Sequence, residues 1–290
     1  MTGLSNLLRI RQWNKNIFVF APLVFSRRLF DRWAFLEVLA GFLIFSLAAS
    51  SVYIFNDLTD IESDRRHSEK KSRPLPSGEI STQIAILISA VLCALSLAVS
   101  FLMDRQFGFI VLSYIIINAL YSIILKHLVI IDVMVIAASF VLRVLAGAAI
   151  VRVYPSNWLI ICTILLSLFL GFSKRRRELI LLTDNANSHR QVLEHYSPYF
   201  LDQMISVVTA TTVMSYMLYT VSDETIKFFG TRQLLWTVPF VLYGIFRYLY
   251  LVHQKEGGGD PSEIVLKDKP LLINILLWGI SCISLIYVFK

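Results

Sequence analysis

The 290-residue sequence is short of charged side chains, which make up only 16% of it, against roughly 25% in a soluble domain. Hydrophobic residues account for 56% of the chain. This composition excludes an ordinary soluble enzyme and is typical of a polytopic membrane protein. The net charge of +7 then indicates anchoring on the cytoplasmic side of a membrane, and we expect no nucleic-acid partner.

Linkers, cysteine motifs and histidine motifs are also missing. No Gly/Ser-rich linker interrupts the chain, so we expect one domain over residues 1–290. No cleavable signal peptide is expected, because the first residues are polar and basic. The cysteines lie in apolar runs and indicate packing residues, and the scattered histidines indicate polar surface residues. These residues are Cys93, Cys162, Cys282, His67, His127, His189, His195 and His253.

Long apolar runs are abundant instead. About 20 mostly apolar residues cross a bilayer, and nine segments qualify or nearly qualify. The first of these is short and contains Pro22. We therefore predict an all-α polytopic membrane helix bundle with spans near 11–28, 33–55, 80–103, 107–125, 128–151, 157–173, 204–221, 234–252 and 271–289.

The Lys and Arg residues are unequally divided between the two sides of such a bundle. The side with the N-terminus and the long polar loops holds 17 of the 27, and the other side holds 8. Because cytoplasmic loops carry the excess of Lys and Arg, we predict that the N-terminus lies inside and the C-terminus outside. The expected location is the plasma membrane, with the chemistry on the cytoplasmic face.

An acidic motif ends the second predicted span. On a helix, Asp57, Asp60 and Asp64 fall within about 60° of arc, and Asn56 widens the arc to about 100°. Glu62 points away from it. Mg²⁺ takes oxygen ligands, usually one or two carboxylates together with substrate phosphates, so the motif indicates a metal site.

Five basic residues follow in the same loop and would suit a diphosphate whose oxygens are bridged by a metal ion. Two alternatives remain open. The acids could cap a solvated helix end with Arg65 and Arg66 as their counterions, and the basic residues could be ordinary positive-inside anchors. The five are Arg65, Arg66, Lys70, Lys71 and Arg73.

The stretch NDLTDIESDRRH, at 56–67, reads N-D-x-x-D-x-x-x-D and resembles the UbiA superfamily of intramembrane prenyltransferases. The resemblance implies a UbiA-like bundle of about nine spans, in which this motif holds Mg²⁺ and a diphosphate substrate. Mn²⁺ is the alternative ion. It implies that Asp57, Asp60 and Asp64 are catalytic, and that they bind the metal together with Asn56.

The loop after the sixth span departs from the pattern of an ordinary UbiA prenyltransferase. It lacks the second aspartate-rich motif and carries the basic run KRRRE, at 174–178, followed by the isolated Asp184. We expect such a run to attract a further phosphate group, although a positive-inside stop after a span remains the alternative. Lys174, Arg175 and Glu178 are the predicted substrate contacts.

Further stretches are similar to the decaprenyl-phosphate phosphoribosyltransferase branch of the superfamily. The resemblance implies transfer from 5-phosphoribosyl 1-diphosphate (PRPP) to a polyprenyl phosphate, giving a lipid-linked pentose precursor for cell-envelope arabinan. Whether the chain forms a homo-oligomer is left open. The stretches are RQWNKNIFVFAPLVFS, YSIILKHLVIIDVMVIAASFVLRVLAGA, GFSKRRREL, LEHYSPYFLDQ and IVLKDKPLL.

Polar residues inside or beside the spans complete the predicted site. Ionisable groups in a membrane usually face a cavity or a partner. We expect substrate phosphate contacts here, with structural pairing as the alternative, whereas Asp132 could simply hold Lys126 or His127. Arg247 is interpreted as structural. The predicted contacts are Tyr121, Lys126 and Arg143, with Lys15 and Asn16 implied by the resemblance.

Two other functions compete with this one. A conventional UbiA enzyme would move an isoprenoid onto an aromatic acceptor, but the basic run at 174–178 disfavours it. A transporter or cation carrier usually places its site near the bilayer midplane on broken helices. The acids of this chain instead lie at one end of a span, which favours an enzyme.

Overall fold

The computed structural model describes residues 3–66, 70–183, 191–254 and 261–288, and over these residues the fold is all-helical. Within these ranges, eight helical segments are long and apolar enough to cross a membrane. The chain divides into two compact units: unit 1 is Met1–Pro155 with Leu181–Tyr196, and unit 2 is Ser156–Ile180 with Ser197–Lys290. Each unit contains four of the eight spanning segments.

Unit 1 is built around four spanning helices. Asp31 caps the first of them, accepting hydrogen bonds from the backbone of Ala34 and Trp33. The Ala34 N–H, followed by the Arg28 guanidinium, lowers the pKa of Asp31, because both donate hydrogen bonds to its ionised form. The α-helices are α1 Gly3–Leu7, α2 Ala21–Phe25, α3 Arg32–Thr59, α4 Ile61–Arg66, α5 Thr82–Met103, α6 Arg105–Ile123 and α7 Ile131–Val151, and 3₁₀ helices lie at Ile10–Phe20, Lys70–Ser72, Leu125–His127 and Gln191–His195.

The expected first span, 11–28, does not form one long helix. Ile10–Phe20 is a 3₁₀ helix and α2 follows it, with Pro22 in the first turn of α2, where its missing N–H costs nothing. Because a 3₁₀ helix rises about 2.0 Å per residue, the two helices together extend for roughly 30 Å. They run antiparallel to α3, with Trp13 donating to Ser50.

Unit 2 contains the other four spanning segments, Asn157–Ile180, Pro198–Val221, Gln233–Gln254 and Lys269–Tyr287. Arg247 forms an ion pair with Asp268 at 2.9 Å, in agreement with its structural interpretation. The helices are α8 Asn157–Thr183, α9 Pro198–Val221, α10 Asp223–Phe229, α11 Val238–Gln254, α12 Pro261–Lys267 and α13 Lys269–Tyr287, with a 3₁₀ helix at Gln233–Thr237.

The remaining eight predicted spans coincide with the eight spanning segments, with differences at their ends. The largest difference is in α8, which continues as helix to Thr183 and so carries the basic run 174–178 in helical form. Residue 289, the end of the last predicted span, lies outside the described residues. Cys282 is buried, and Cys93 and Cys162 are half-buried, as expected of packing residues.

Gly147 permits a close backbone approach in unit 1. A Cβ atom at this position would lie 1.9 Å from the carbonyl oxygen of Val19 and 3.2 Å from Cδ of Pro22. The glycine therefore lets α7 pack directly against the backbone of the N-terminal segment, as small residues do at helix contacts in membranes.

We predict that Gly147→Ala lowers the thermal unfolding temperature of the protein in detergent, because the new methyl group would overpack this contact, at a cost of about 1–3 kcal/mol. The matched control is Gly279→Ala in α13, where an added Cβ meets nothing within 4 Å. An equal effect of the two substitutions would contradict the close approach.

Candidate functional site

The acidic motif lies where α3 ends and α4 follows. Asn56 and Asp57 lie near the end of α3. Asp60 is the C-cap residue that follows α3, and Asp64 lies in α4. Asp57 and Asp64 are buried, with 4% and 3% of their surface exposed, whereas Asp60 is half-buried. Buried carboxylates require partners, and the partners define the site.

Two arginines neutralise Asp57 and Asp64. Arg9 forms an ion pair with Asp57 through Nη2, and its Nε donates to Oδ2 at 3.2 Å. Arg73 bridges the two acids, with Nη1 3.1 Å from Asp57 Oδ1 and 2.7 Å from Asp64 Oδ2. Lys70 Nζ lies 3.6 Å from Asp64 Oδ1. Both buried carboxylates are therefore paired with cations.

Arg9 was not among the residues predicted from the sequence. Its guanidinium also lies 5.4 Å from the ring centroid of Tyr53, and its backbone has a positive φ of 49°. The only signal in the sequence was its place in the basic stretch that contains Lys15. Asp57 is 48 residues away, and only the antiparallel packing of the N-terminal segment on α3 brings the two together.

Asp60 is held by the end of α6 and the connector that follows. Lys126 Nζ lies 2.5 Å from Asp60 Oδ1, and Asn56 Nδ2 donates to Asp60 Oδ2 at 3.1 Å. The hydroxyl of Ser122 donates to Asn56 Oδ1 at 3.1 Å. Tyr121, next to Ser122 in α6, is half-buried. The structure thus joins the predicted Lys126 to the acidic motif.

Positive charge exceeds negative charge among the described residues of this cluster. The three aspartates face four cationic side chains. Within the described ranges, no three His, Cys, Asp or Glu side chains are grouped closely enough to hold a metal ion, because Arg73 lies between Asp57 and Asp64 and Lys126 engages Asp60. The cations are Arg9, Lys70, Arg73 and Lys126.

Arg143 and Asn16 lie deeper in unit 1, outside the acidic cluster. Arg143 is 3% exposed and donates to Asn16 Oδ1 at 2.8 Å, to the Ser139 carbonyl at 2.6 Å and to the Tyr114 hydroxyl at 3.2 Å. Asn16 donates to Ser46, which precedes Asp57 by 11 residues, or about 16 Å along the helix. Contacts of this kind are the structural alternative given for Arg143, and the predicted roles of Arg143 and Asn16 in substrate binding stay predictions.

Three aromatic rings complete the surroundings of Arg143. They lie 5.0–5.4 Å from its Cζ atom, where a cation is attracted to the ring faces. The described contacts of this buried cation are therefore neutral groups and π-faces that join α3, α6, α7 and the 3₁₀ helix Ile10–Phe20. The rings are those of Phe45, Tyr114 and Phe140.

Arg65 and Lys15 have no described contact with the three aspartates. Arg65 is exposed and pairs with Glu62 at 3.0 Å. The capping alternative supposed that Arg65 and Arg66 were the counterions of the acids, whereas the described counterions are other basic residues. Lys15 is half-buried in the 3₁₀ helix Ile10–Phe20. Its role in substrate binding, like that of Arg65, stays a prediction.

The basic run of α8 lies in unit 2. Arg175 is 1% exposed and pairs with Glu178 at 2.5 Å, and Lys174 is half-buried. Arg176 pairs instead with Asp202 of α9. The predicted phosphate contacts of this run stay predictions. Asp184, His67 and His189 lie outside the described residues.

Comparisons with known proteins agree with this description. The sequence model of the UbiA prenyltransferase family matches residues 17–264. The decaprenyl-phosphate phosphoribosyltransferase of Corynebacterium glutamicum is 30% identical over 99% of this chain and 87% of the relative, and that of Mycobacterium tuberculosis is 30% identical over 96% and 92%. A UbiA homolog from Archaeoglobus fulgidus, solved bound to GPP and Mg²⁺, has the same fold, with a TM-score of 0.74 and 21% identity over 98% of this chain and 100% of that one.

The pairing of Arg9 with Asp57 predicts a stability coupling. Arg9→Gln and Asp57→Asn should each destabilise the protein by about 1–3 kcal/mol, because each removes one side of this ion pair, and without Arg9 only Arg73 remains at Asp57. The double variant should lose less than the sum of the two, as measured by thermal unfolding in detergent. Arg11→Gln, at an exposed position two residues from Arg9, is the control. Strict additivity would contradict the pairing.

Proposed function

Because the chain belongs to the UbiA prenyltransferase family, we propose that it transfers the 5-phosphoribosyl group of PRPP to a polyprenyl phosphate and releases diphosphate. The match of the UbiA family model to residues 17–264 confirms the family that the N-D-x-x-D-x-x-x-D motif indicated. The near full-length similarity to proteins named decaprenyl-phosphate phosphoribosyltransferase supports this reaction over transfer of an isoprenoid to an aromatic ring. The chain is an integral membrane protein.

The single observation that carries the proposal is the interleaving of acids and bases around Asp57, Asp60 and Asp64. A site for a metal ion alone needs only the carboxylates. A site for a metal diphosphate needs cations as well, because the phosphate oxygens carry more negative charge than one divalent ion neutralises. Arg73, which bridges Asp57 and Asp64, supplies such a cation within the acidic motif itself.

The donor set fits Mg²⁺. It consists of carboxylate and amide oxygens, which are the ligands that a hard divalent cation prefers. We assign Asp57, Asp60 and Asp64, with Asn56, to hold the ion. Mn²⁺ is proposed as a substitute for Mg²⁺. When bound, Mg²⁺ would stabilise the charge that develops on the departing diphosphate.

The basic residues around the motif would bind and orient the substrate. Arg9, Arg73 and Lys126, which pair with these acids in the structure, would donate to the diphosphate oxygens once the carboxylates held the ion. The bond between ribose C1 and the diphosphate oxygen then breaks, and a bond forms between C1 and an oxygen of the polyprenyl phosphate. Diphosphate leaves with the electron pair. The attacking phosphate is already ionised at pH 7, so positioning and electrostatics suffice without a general base.

PRPP also carries a 5-phosphate, and the lipid acceptor carries a third anionic group. We propose Lys15, Arg65 and Tyr121 of unit 1 as contacts to the substrate. Lys174, Arg175 and Glu178 of α8 are proposed separately as contacts to a phosphate group. Arg143 and Asn16 also stay predicted substrate contacts, and the partners described for them are neutral groups within unit 1. The family match extends from residue 17 to residue 264 and includes parts of both units, which supports one functional domain.

The proposed location is the plasma membrane, with the acidic motif on the cytoplasmic face, where PRPP would be available. The excess of Lys and Arg on the side of the long loops supports this orientation. The product would be a polyprenyl-phosphoryl 5-phosphoribose, a precursor for arabinan-type polymers of the cell envelope. Association of the chain into homo-oligomers is compatible with this reaction.

The reaction is tested with purified protein, MgCl₂, PRPP and a polyprenyl phosphate in detergent. We expect a new phosphoribosyl lipid by mass spectrometry, release of diphosphate, and loss of both when EDTA is added. A parallel reaction contains a prenyl diphosphate and aromatic acceptors. Product in that reaction alone would identify a conventional UbiA prenyltransferase and overturn the proposal.

The acidic motif is tested by Asp60→Asn, because Asp60 is half-buried and its loss should disturb the fold less than loss of Asp57. We expect a drop in kcat of roughly 100-fold or more, the scale of losing one electrostatic contact to developing charge, with an unchanged gel-filtration profile. Glu62→Gln is the control, since Glu62 is exposed and pairs only with the exposed Arg65 in the contacts described. Full activity of Asp60→Asn would remove the motif from the mechanism.

A further inference from the structure

The connector between α6 and α7 carries Lys126 and ends in unfavourable backbone geometry. Ile130 has φ 69° and ψ −45°, a conformation that is a genuine outlier for a β-branched residue. Its side chain is 40% exposed, so burial of the isoleucine does not account for the geometry. Strained residues of this kind persist only where their surroundings hold them in place.

The Tyr196 hydroxyl holds this residue. It accepts a hydrogen bond from the Ile130 N–H at 2.6 Å and donates one to Asp132 Oδ1 at 2.9 Å. Tyr196 is 5% exposed and Asp132 is fully buried. Asp132 lies in the first turn of α7, and Tyr196 follows the 3₁₀ helix Gln191–His195. The Tyr196 hydroxyl therefore links the segment Leu181–Tyr196 of unit 1 to Asp132, at the start of α7, and to the strained Ile130.

The same connector fixes Lys126 against Asp60. Leu125–His127 is a single 3₁₀ turn, and the Asp132 N–H donates to the Leu128 carbonyl at 3.0 Å. Only three residues separate Lys126 from Ile130. A change in the backbone of Ile130 would therefore be passed through a short, hydrogen-bonded segment to Lys126, whose Nζ atom lies 2.5 Å from Asp60.

We infer that Tyr196 is a positioning residue for the transfer reaction: its hydroxyl holds the connector in the strained conformation that keeps Lys126 at the acidic motif. The inference rests on the proposed function, in which Lys126 passes from Asp60 to a diphosphate oxygen. It also gives Asp132, whose partner the sequence left open between Lys126 and His127, a role as the acceptor that orients the Tyr196 hydroxyl.

The kinetic test uses Tyr196→Phe, which keeps the ring and removes both hydrogen bonds. We expect kcat/KM for PRPP to fall about tenfold, the effect of losing roughly one hydrogen bond, with KM for polyprenyl phosphate unchanged. In a Lys126→Met background, Tyr196→Phe should have no further effect, because the group that it positions is gone. Tyr199→Phe is the control, since Tyr199 is exposed and contacts Gln203 of its own helix.

Rescue separates positioning from packing. Glycine adopts positive φ without strain, so Ile130→Gly should restore most of the kcat/KM that Tyr196→Phe loses. Loss of ring packing would not be rescued in this way. Wild-type values for Tyr196→Phe, or an equal loss with and without Ile130→Gly, would overturn the inference.

Hydrogen exchange of the peptide 124–132 provides a readout that does not depend on activity. Tyr196→Phe should speed its exchange, and Tyr199→Phe should not. If the wild-type protein transfers no phosphoribosyl group, the proposed function fails while the exchange data still test the restraint. If transfer is normal and exchange is unchanged in Tyr196→Phe, the positioning role fails and the proposed function stands.

Discussion

The pairing of three carboxylates with basic side chains at the end of α3 is the interaction on which unit 1 depends. Ionised groups at the edge of a membrane are costly unless they are paired. The partners come from separate parts of the chain: Arg9 from the N-terminal segment, Arg73 from the loop after α4 and Lys126 from the connector before α7. The same ion pairs therefore hold these segments to α3 and bring together the acids and bases that the proposed metal-diphosphate site would use.

Unit 1 contains a second group of polar residues, around Arg143, that lies deeper in the bundle than the charged cluster at the end of α3. Arg143 is surrounded by amide, hydroxyl, carbonyl and aromatic groups, and Ser46, which Asn16 contacts, lies about 16 Å along α3 from Asp57. The deep layer contains no carboxylate among its described contacts, and its cation joins helices. The proposed reaction of a highly charged substrate is accordingly assigned to the outer layer, where cations and carboxylates alternate.

Much of the fold follows from the sequence, because apolar runs of about 20 residues locate eight spans directly. The N-terminal segment was harder, since its 3₁₀ geometry and its path along α3 have no periodic signal. Within the site, the spacing of Asp57, Asp60 and Asp64 indicated a cluster, whereas its counterions could not be assigned: Arg9 is 48 residues from Asp57, and Arg65, although adjacent in sequence, faces Glu62. The separation of two residues in the sequence therefore does not predict which basic residue pairs with a buried acid in the folded protein.

The most direct test of the account is a structure of the protein with Mg²⁺ and a non-reactive PRPP analogue. We predict density for the ion against the oxygens of Asp57, Asp60 and Asp64, with the Arg73 guanidinium moved from its bridge between Asp57 and Asp64 to the diphosphate. A structure in which Arg73 still bridges these two carboxylates, while the ion and the diphosphate bind elsewhere, would contradict the central claim.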